Sequence, residues 1–250
     1  MYKLTFTAIL LFLFNYGFAQ KSITDSIINL PLIETSISFQ KPGGDLANRF
    51  GNNISINFGA HYKTKKNYTF GFQIQNLSGG NIKGEDDLLG DIETEFGPID
   101  GGGNISEILF FERGMNTSLQ FGKVFNLIGP NPNSGIWLQF GAGYFWNKIK
   151  IENTDNRAII LTEEFIKGYD KLSEGISINQ SIGYLHLSDK KLLNFSIAFE
   201  VMEAFTSNKR KYSYKDMSVI DENYIDILYG LRFSWILPLY KKSETKYHYY

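Results

Sequence analysis

From about residue 30 onward, hydrophobic and polar residues alternate with period two, in runs of roughly ten residues separated by turn-forming stretches. Alternation of this kind puts successive side chains on opposite faces of an extended strand. One run sets Ile54, Ile56, Phe58, Ala60 and Tyr62 against Ser55, Asn57, Gly59 and His61. Another sets Tyr68, Phe70, Phe72 and Ile74 against Thr69, Gly71, Gln73 and Gln75. Leu193, Phe195, Ile197, Phe199 and Val201 oppose Asn194, Ser196, Ala198 and Glu200. Ile225, Ile227, Tyr229, Leu231, Phe233 and Trp235 oppose Asp226, Gly230, Arg232 and Ser234. Looser alternation near 32–40, 114–125, 135–148 and 175–187 completes a set of eight strands.

Periodicity does not say which face points outward, because a soluble lipocalin-like barrel has the same rhythm with its apolar face turned in. Bulk decides. The apolar faces carry Phe, Tyr, Trp, Ile and Leu at nearly every position, and the bore of an eight-stranded barrel is just wide enough for side chains. The opposite faces are mostly Gly, Ser, Asn and Gln, which fit such a bore. The apolar faces therefore look outward, onto lipid. This predicts an all-β fold: a closed antiparallel up-and-down transmembrane barrel of eight strands, occupying 31–238.

A ten-stranded variant stays open at this stage. Ile105 to Phe111 suits an extension of the fourth strand, and Ala158 to Ile166 suits an extra strand or a short helix. The links between strands alternate in length. Those at 63–67, 129–134 and 188–191 are short, those at 79–113, 149–174 and 206–223 are long, and 41–51 is intermediate. Outer-membrane barrels have short periplasmic turns and long extracellular loops, so both termini are expected in the periplasm. Tyr62, Tyr68, Trp146, Tyr184, Trp235 and Tyr240 suit the two interfacial girdles.

Composition sharpens the compartment. Met1-Tyr2-Lys3, the apolar run Leu4 to Phe14 and Gly17-Phe18-Ala19 read as a cleaved secretory signal over 1–19. The remainder divides into an N-terminal periplasmic extension (20–30), the barrel (31–238) and a periplasmic tail (239–250). Net charge is −1, so no strong field argues for nucleic acid, the wrong partner for that compartment, and the chain has no cysteine, hence no disulfide frame or thiolate metal site.

The signal end Phe18-Ala19-Gln20, the aromatic alternating strands and the terminal Lys246-Tyr247-His248-Tyr249-Tyr250 resemble the small outer-membrane β-barrels of the Bacteroidota. Their architecture is similar to OmpA/OmpX-like barrels. The resemblance implies insertion by the outer-membrane assembly machinery, and it carries no functional residues with it.

Some small barrels are enzymes: lipid A palmitoyl transferases, lipid A deacylases and omptin proteases. Resemblance to them would imply a His with a Ser or Asp at the outer rim. Here His61 and His186 fall at periplasmic strand ends as polar interfacial residues, and His248 falls in the tail. No His-based catalytic site, metal site or cofactor site is expected. The loop 79–113 is rich in Asp and Glu, which leaves calcium ligation open beside a plain solvated loop.

Two features remain. Glu34, Glu200 and Arg232 fall on inward faces of neighbouring strands, and are expected to pair as a charge network inside the barrel. Lys209, Arg210, Lys211 and Lys215 stand in the last long loop, which leaves open contact with lipopolysaccharide phosphates beside plain solubility. The function that follows is a non-enzymatic scaffold, surface-interaction or envelope-complex subunit, with a protein partner in the envelope. A narrow channel for small or hydrophobic solutes is the alternative, and a lipid-modifying enzyme is the third.

Overall fold

The computed structural model describes residues 26–84, 108–153, 166–190, 192–210, 212–213, 218–219 and 222–239. Eight long strands form one closed antiparallel barrel: β1 (Leu30–Gly44), β2 (Asn53–Lys63), β3 (Tyr68–Gly79), β4 (Ile108–Phe125), β5 (Gly135–Asn153), β6 (Ser173–His186), β7 (Phe195–Asn208) and β8 (Asn223–Pro238). Each strand pairs with its neighbours in sequence, and β1 closes on β8. No ninth barrel strand occurs among the described residues. Ile108 to Phe111 prolong β4, whereas 158–165 lie outside the described residues. A two-residue ladder, Tyr212–Ser213 with Ser218–Val219, stands apart in the last loop.

Register fixes the barrel's geometry. Following direct partners from Ile33 leads through Ala60, Phe72, Leu119, Ala142, Ile178, Glu203 and Ile227 back to β1 at Gly43. That offset along β1 tilts the strands by roughly 40°. Such tilt lets modest strands wrap a cylinder whose bore side chains can fill.

The outward faces form an apolar belt. Leu119 is 73% exposed, Ile176 64%, Phe140 57% and Phe58 52%. Water would not tolerate so continuous an apolar surface on a monomer. The short turns are tightly built. In the β2–β3 turn Asn67 adopts φ 62°, a left-handed conformation that asparagine accepts, and its N–H donates to the Thr64 carbonyl.

The bore departs from the sequence reading, which filled it with small hydrophilic groups. Apolar side chains plug both ends. At the short-turn end Ile28, Leu30, Leu32, Val124, Trp137, Leu185, Leu187 and Ile236 form one cluster. At the long-loop end the cluster contains Leu46, Phe50, Leu77, Phe110, Phe145, Ile149, Met202 and Leu228. A single turn of helix, α1 (Leu46–Arg49), folds over that mouth, and both Leu46 and Phe50 are fully buried. The bulk argument sorted whole faces correctly, but a cylinder has ends, and only its middle needs to be polar.

Candidate functional site

The polar middle of the bore is organised around Arg232. Its direct partners on β1 and β7 are Ser38 and Ala198, small enough to leave room for a guanidinium. Nη1 lies 3.4 Å from Glu200 Oε2, and Nε lies 3.6 Å from Glu34 Oε1. Nη2 donates to Gln139 Oε1 at 2.6 Å and to Ser181 Oγ at 3.3 Å, while Nη1 donates to Gln73 Oε1 at 3.2 Å. Four strands besides β8 and β1 are thus tied to one side chain. Arg232 is 3% exposed and Glu34 1%. The three charges named from sequence parity are brought together.

Each carboxylate has further partners. Glu34 accepts from Ser234 Oγ at 2.7 Å, and its Oε2 lies 3.0 Å from His61 Nε2. Among the described residues Glu200 accepts only from amides, Gln40 at 3.0 Å and Gln75 at 3.3 Å, besides its Arg232 contact. A water-sized cavity of about 20 Å³ is left among Gln40, Gln73, Gln75, Gln120, Glu200 and Arg232.

His61 requires a correction. The sequence placed it as an interfacial residue, yet it is 3% exposed and lies inside the bore. Its ring packs edge-on to Trp137 at 5.4 Å, and Trp137 donates to Thr69 Oγ1 at 3.0 Å. Small Gly59 and Gly71 flank the imidazole and make room for it, since a Cβ at Gly71 would fall 2.6 Å from Nδ1. His186 does sit on the outer wall near the short-turn rim, stacked on Phe195 at 5.0 Å. Neither ring reaches the long-loop mouth, and His248 lies outside the described residues.

A second polar layer, missed from the sequence, closes the long-loop end. Arg49 of α1 reaches down to Asp226 on β8, Nη2 to Oδ1 at 2.5 Å. The same guanidinium donates to Asn147 Oδ1 at 3.2 Å and Ser173 Oγ at 3.0 Å, and Thr206 donates to Asp226 at 2.7 Å. Glu112, also inward, accepts from Asn53 at 2.9 Å. Inward parity marks Asp226 and Glu112 in the sequence. Nothing in a loop sequence marks Arg49. At the opposite end buried Lys63 donates to Asn133 Oδ1 at 2.8 Å and to the Ile28 carbonyl at 3.2 Å.

The described basic residues of the last loop already have acidic neighbours. Lys209 Nζ lies 3.4 Å from Glu174. Arg210 makes a two-pronged contact with Asp170, Nε to Oδ1 at 2.8 Å and Nη2 to Oδ2 at 2.5 Å. Hydrogen bonding to Asp170 pushes the Arg210 pKa up. Lys211 and Lys215 lie outside the described residues, as does 85–107 of the acidic loop. Two other cations flank the belt: outward Arg113 on β4 and Lys148 on β5 are direct ladder partners just beyond its long-loop edge. Among the described residues no three His, Cys, Asp or Glu side chains are grouped to hold a metal.

No protein-family model matches the chain, and no curated protein matches it. Among solved structures it is similar to the crystal structure of Ail, the attachment invasion locus protein of Yersinia pestis. Identity is 10% and the TM-score 0.43, over 84% of this chain and 99% of that one. A crystal structure of Ail with the heparin analogue sucrose octasulfate gives 13% identity and a TM-score of 0.40, over 84% and 99% of the two chains. The backbone structure of Ail in a phospholipid bilayer nanodisc gives 14% and 0.25, over 80% and 99%.

Proposed function

We propose that this chain is a sealed, non-enzymatic barrel of an outer membrane, which holds its long loops at the cell surface as a scaffold or surface-interaction subunit. The observation that carries the reading is the bore. An apolar plug, a layer of paired charges and a second plug follow one another along it, so no continuous water path crosses the span. The exposed belt supports the bilayer placement, because strands closed into a ring leave no unpaired edge in hydrocarbon. The alternation of short and long links supports periplasmic termini, with the segments 1–19, 20–30 and 239–250 as signal, extension and tail.

Catalysis finds no support at the surface-facing mouth. The described imidazoles are remote from it, and Arg49 and Asp226 there are spent on each other. For partners, lipid surrounds the belt and the assembly machinery inserts the barrel. Lipopolysaccharide phosphates meet Lys209, Arg210, Lys211 and Lys215. The opposed pair Arg113 and Lys148 offers them a second anchor, two cations facing each other across one ladder. An envelope protein is the partner the scaffold reading requires.

Planar-bilayer recording of the purified full-length chain tests the reading. Inserted protein without single-channel steps is expected. Steady unitary conductance would overturn it in favour of the narrow channel. An altered lipid A mass spectrum on deletion of the protein would overturn it in favour of an enzyme.

A further inference from the structure

Thr35, Asn76, Thr117 and Gln180 are polar side chains exposed on the outward faces of the belt, and Gln180 stands nearest its mid-height. Gln180 lies exposed on the outward face of β6. Along its own strand Ile176 and Ile178 stand outward on one side of it, Ile182 and Tyr184 on the other. Its direct partners on the flanking strands are Phe140 and Val201. Its amide makes no hydrogen bond with any described residue. The wall is hollowed there, by a groove of about 240 Å³ lined by Leu138, Phe140, Gln180, Ile182, Phe199 and Val201. Glu203, opposite Ile178 on β7, faces outward one step nearer the long-loop rim.

An acyl chain fills a groove but cannot answer an amide, and in hydrocarbon no water does so either. We infer that a second copy of this chain docks on the β6–β7 wall, with Gln180 against its own counterpart across a two-fold axis along the membrane normal. A carboxamide is both donor and acceptor, so it complements itself. The symmetry fits as well. Two copies inserted in the same sense bring equal depths together, and an isologous contact presents groove and flanking Phe140 to their own images. The inference rests on the membrane-spanning reading.

The chain has no native cysteine, so introduced thiols report cleanly. Ile182→Cys places one beside Gln180 on the groove, and Phe58→Cys places one on β2, four strands away around the barrel. Full-length protein in native membranes is treated with a short bifunctional thiol reagent. I182C is expected to give a covalent dimer and F58C is not. Adding Gln180→Leu to I182C should weaken association about tenfold, as expected for losing amide contacts in a bilayer. Equal cross-linking at both sites, an adduct of any other mass, or a dimer unchanged by Q180L would overturn the inference. Protection of the strands from added protease reports insertion independently, so failure of the membrane reading is distinguishable from a monomeric barrel.

Discussion

Replacing Arg232 by methionine removes the one cation that stands between Glu34 and Glu200, while keeping much of its volume. Truncating one partner of a buried ion pair costs about 3–5 kcal/mol, because the remaining charge keeps its desolvation without its compensation. The two acids do not suffer equally. Glu34 retains His61 at 3.0 Å and the Ser234 hydroxyl at 2.7 Å. Glu200 retains only the amides of Gln40 and Gln75. Most of the loss should therefore be recovered by Glu200→Gln in the R232M background, and much less by Glu34→Gln. Reversible urea unfolding in detergent or vesicles, followed by tryptophan fluorescence, measures each variant. A loss below about 1 kcal/mol for R232M would mean the charges are solvated through the bore and the sealed reading is wrong. Equal rescue by E34Q and E200Q would refute the unequal partnering.

Two further substitutions probe the plugs. Phe50→Ala empties a fully buried site beneath α1, and should cost about 3–5 kcal/mol in the same unfolding assay. F50A should still show no conductance, since the Arg232 layer lies deeper, and a conducting F50A would place the seal at the mouth instead. Asn133→Ala removes the acceptor of the Ile28 N–H and of Lys63 Nζ, at 3.0 and 2.8 Å. It should speed hydrogen exchange at Ile28 by about two- to tenfold, for a neutral hydrogen bond worth about 0.5–1.5 kcal/mol. Unchanged exchange there would mean that Leu30 and Leu32 alone hold the entry of the chain.

The wall was easier to foresee than its contents. Ile54, Ile56, Phe58 and their equivalents must meet lipid, and lipid asks only that they be apolar, so periodicity and bulk located β2, β3, β7 and β8 closely. Inside, parity put Glu34, Glu200 and Arg232 on inward faces, and their neighbouring strands followed from up-and-down order. Depth was the missing coordinate. The strand tilt makes equal positions along different strands unequal in height, so Phe145 and Leu228 could not be assigned to a plug without the register. His61 was misplaced for a different reason: its strand end lies near the rim, but its parity faces the bore, and the glycines at 59 and 71 leave room for the ring there. Arg49 was invisible because a four-residue helix folded over a mouth leaves no periodic trace.

The same charges also bear on how the ring closes. Short turns fix the register of β2–β3, β4–β5 and β6–β7, because a hairpin cannot slip without remaking its turn. The β1–β8 seam joins the two ends of the barrel and has no turn. A slip of two residues there preserves which face is which, and the lipid side would hardly register it, since Ile37 would trade Phe233 for Leu231 or Trp235. The inner face does register it: Glu34 would leave Ser234 and Arg232, both on β8. Buried charges then select one closure among near-equals, a use attested for buried polar groups in other folds. Neutralising all three, in R232M/E34Q/E200Q, should retain a folded barrel and relax the seam. With Ile37→Cys as the fixed thiol, a partner thiol at position 233 should bridge it in the parent. In the triple variant a thiol at 231 or 235 should bridge as well. If only position 233 bridges after neutralisation, the plugs and the wall set the closure, and the charges serve the seal alone.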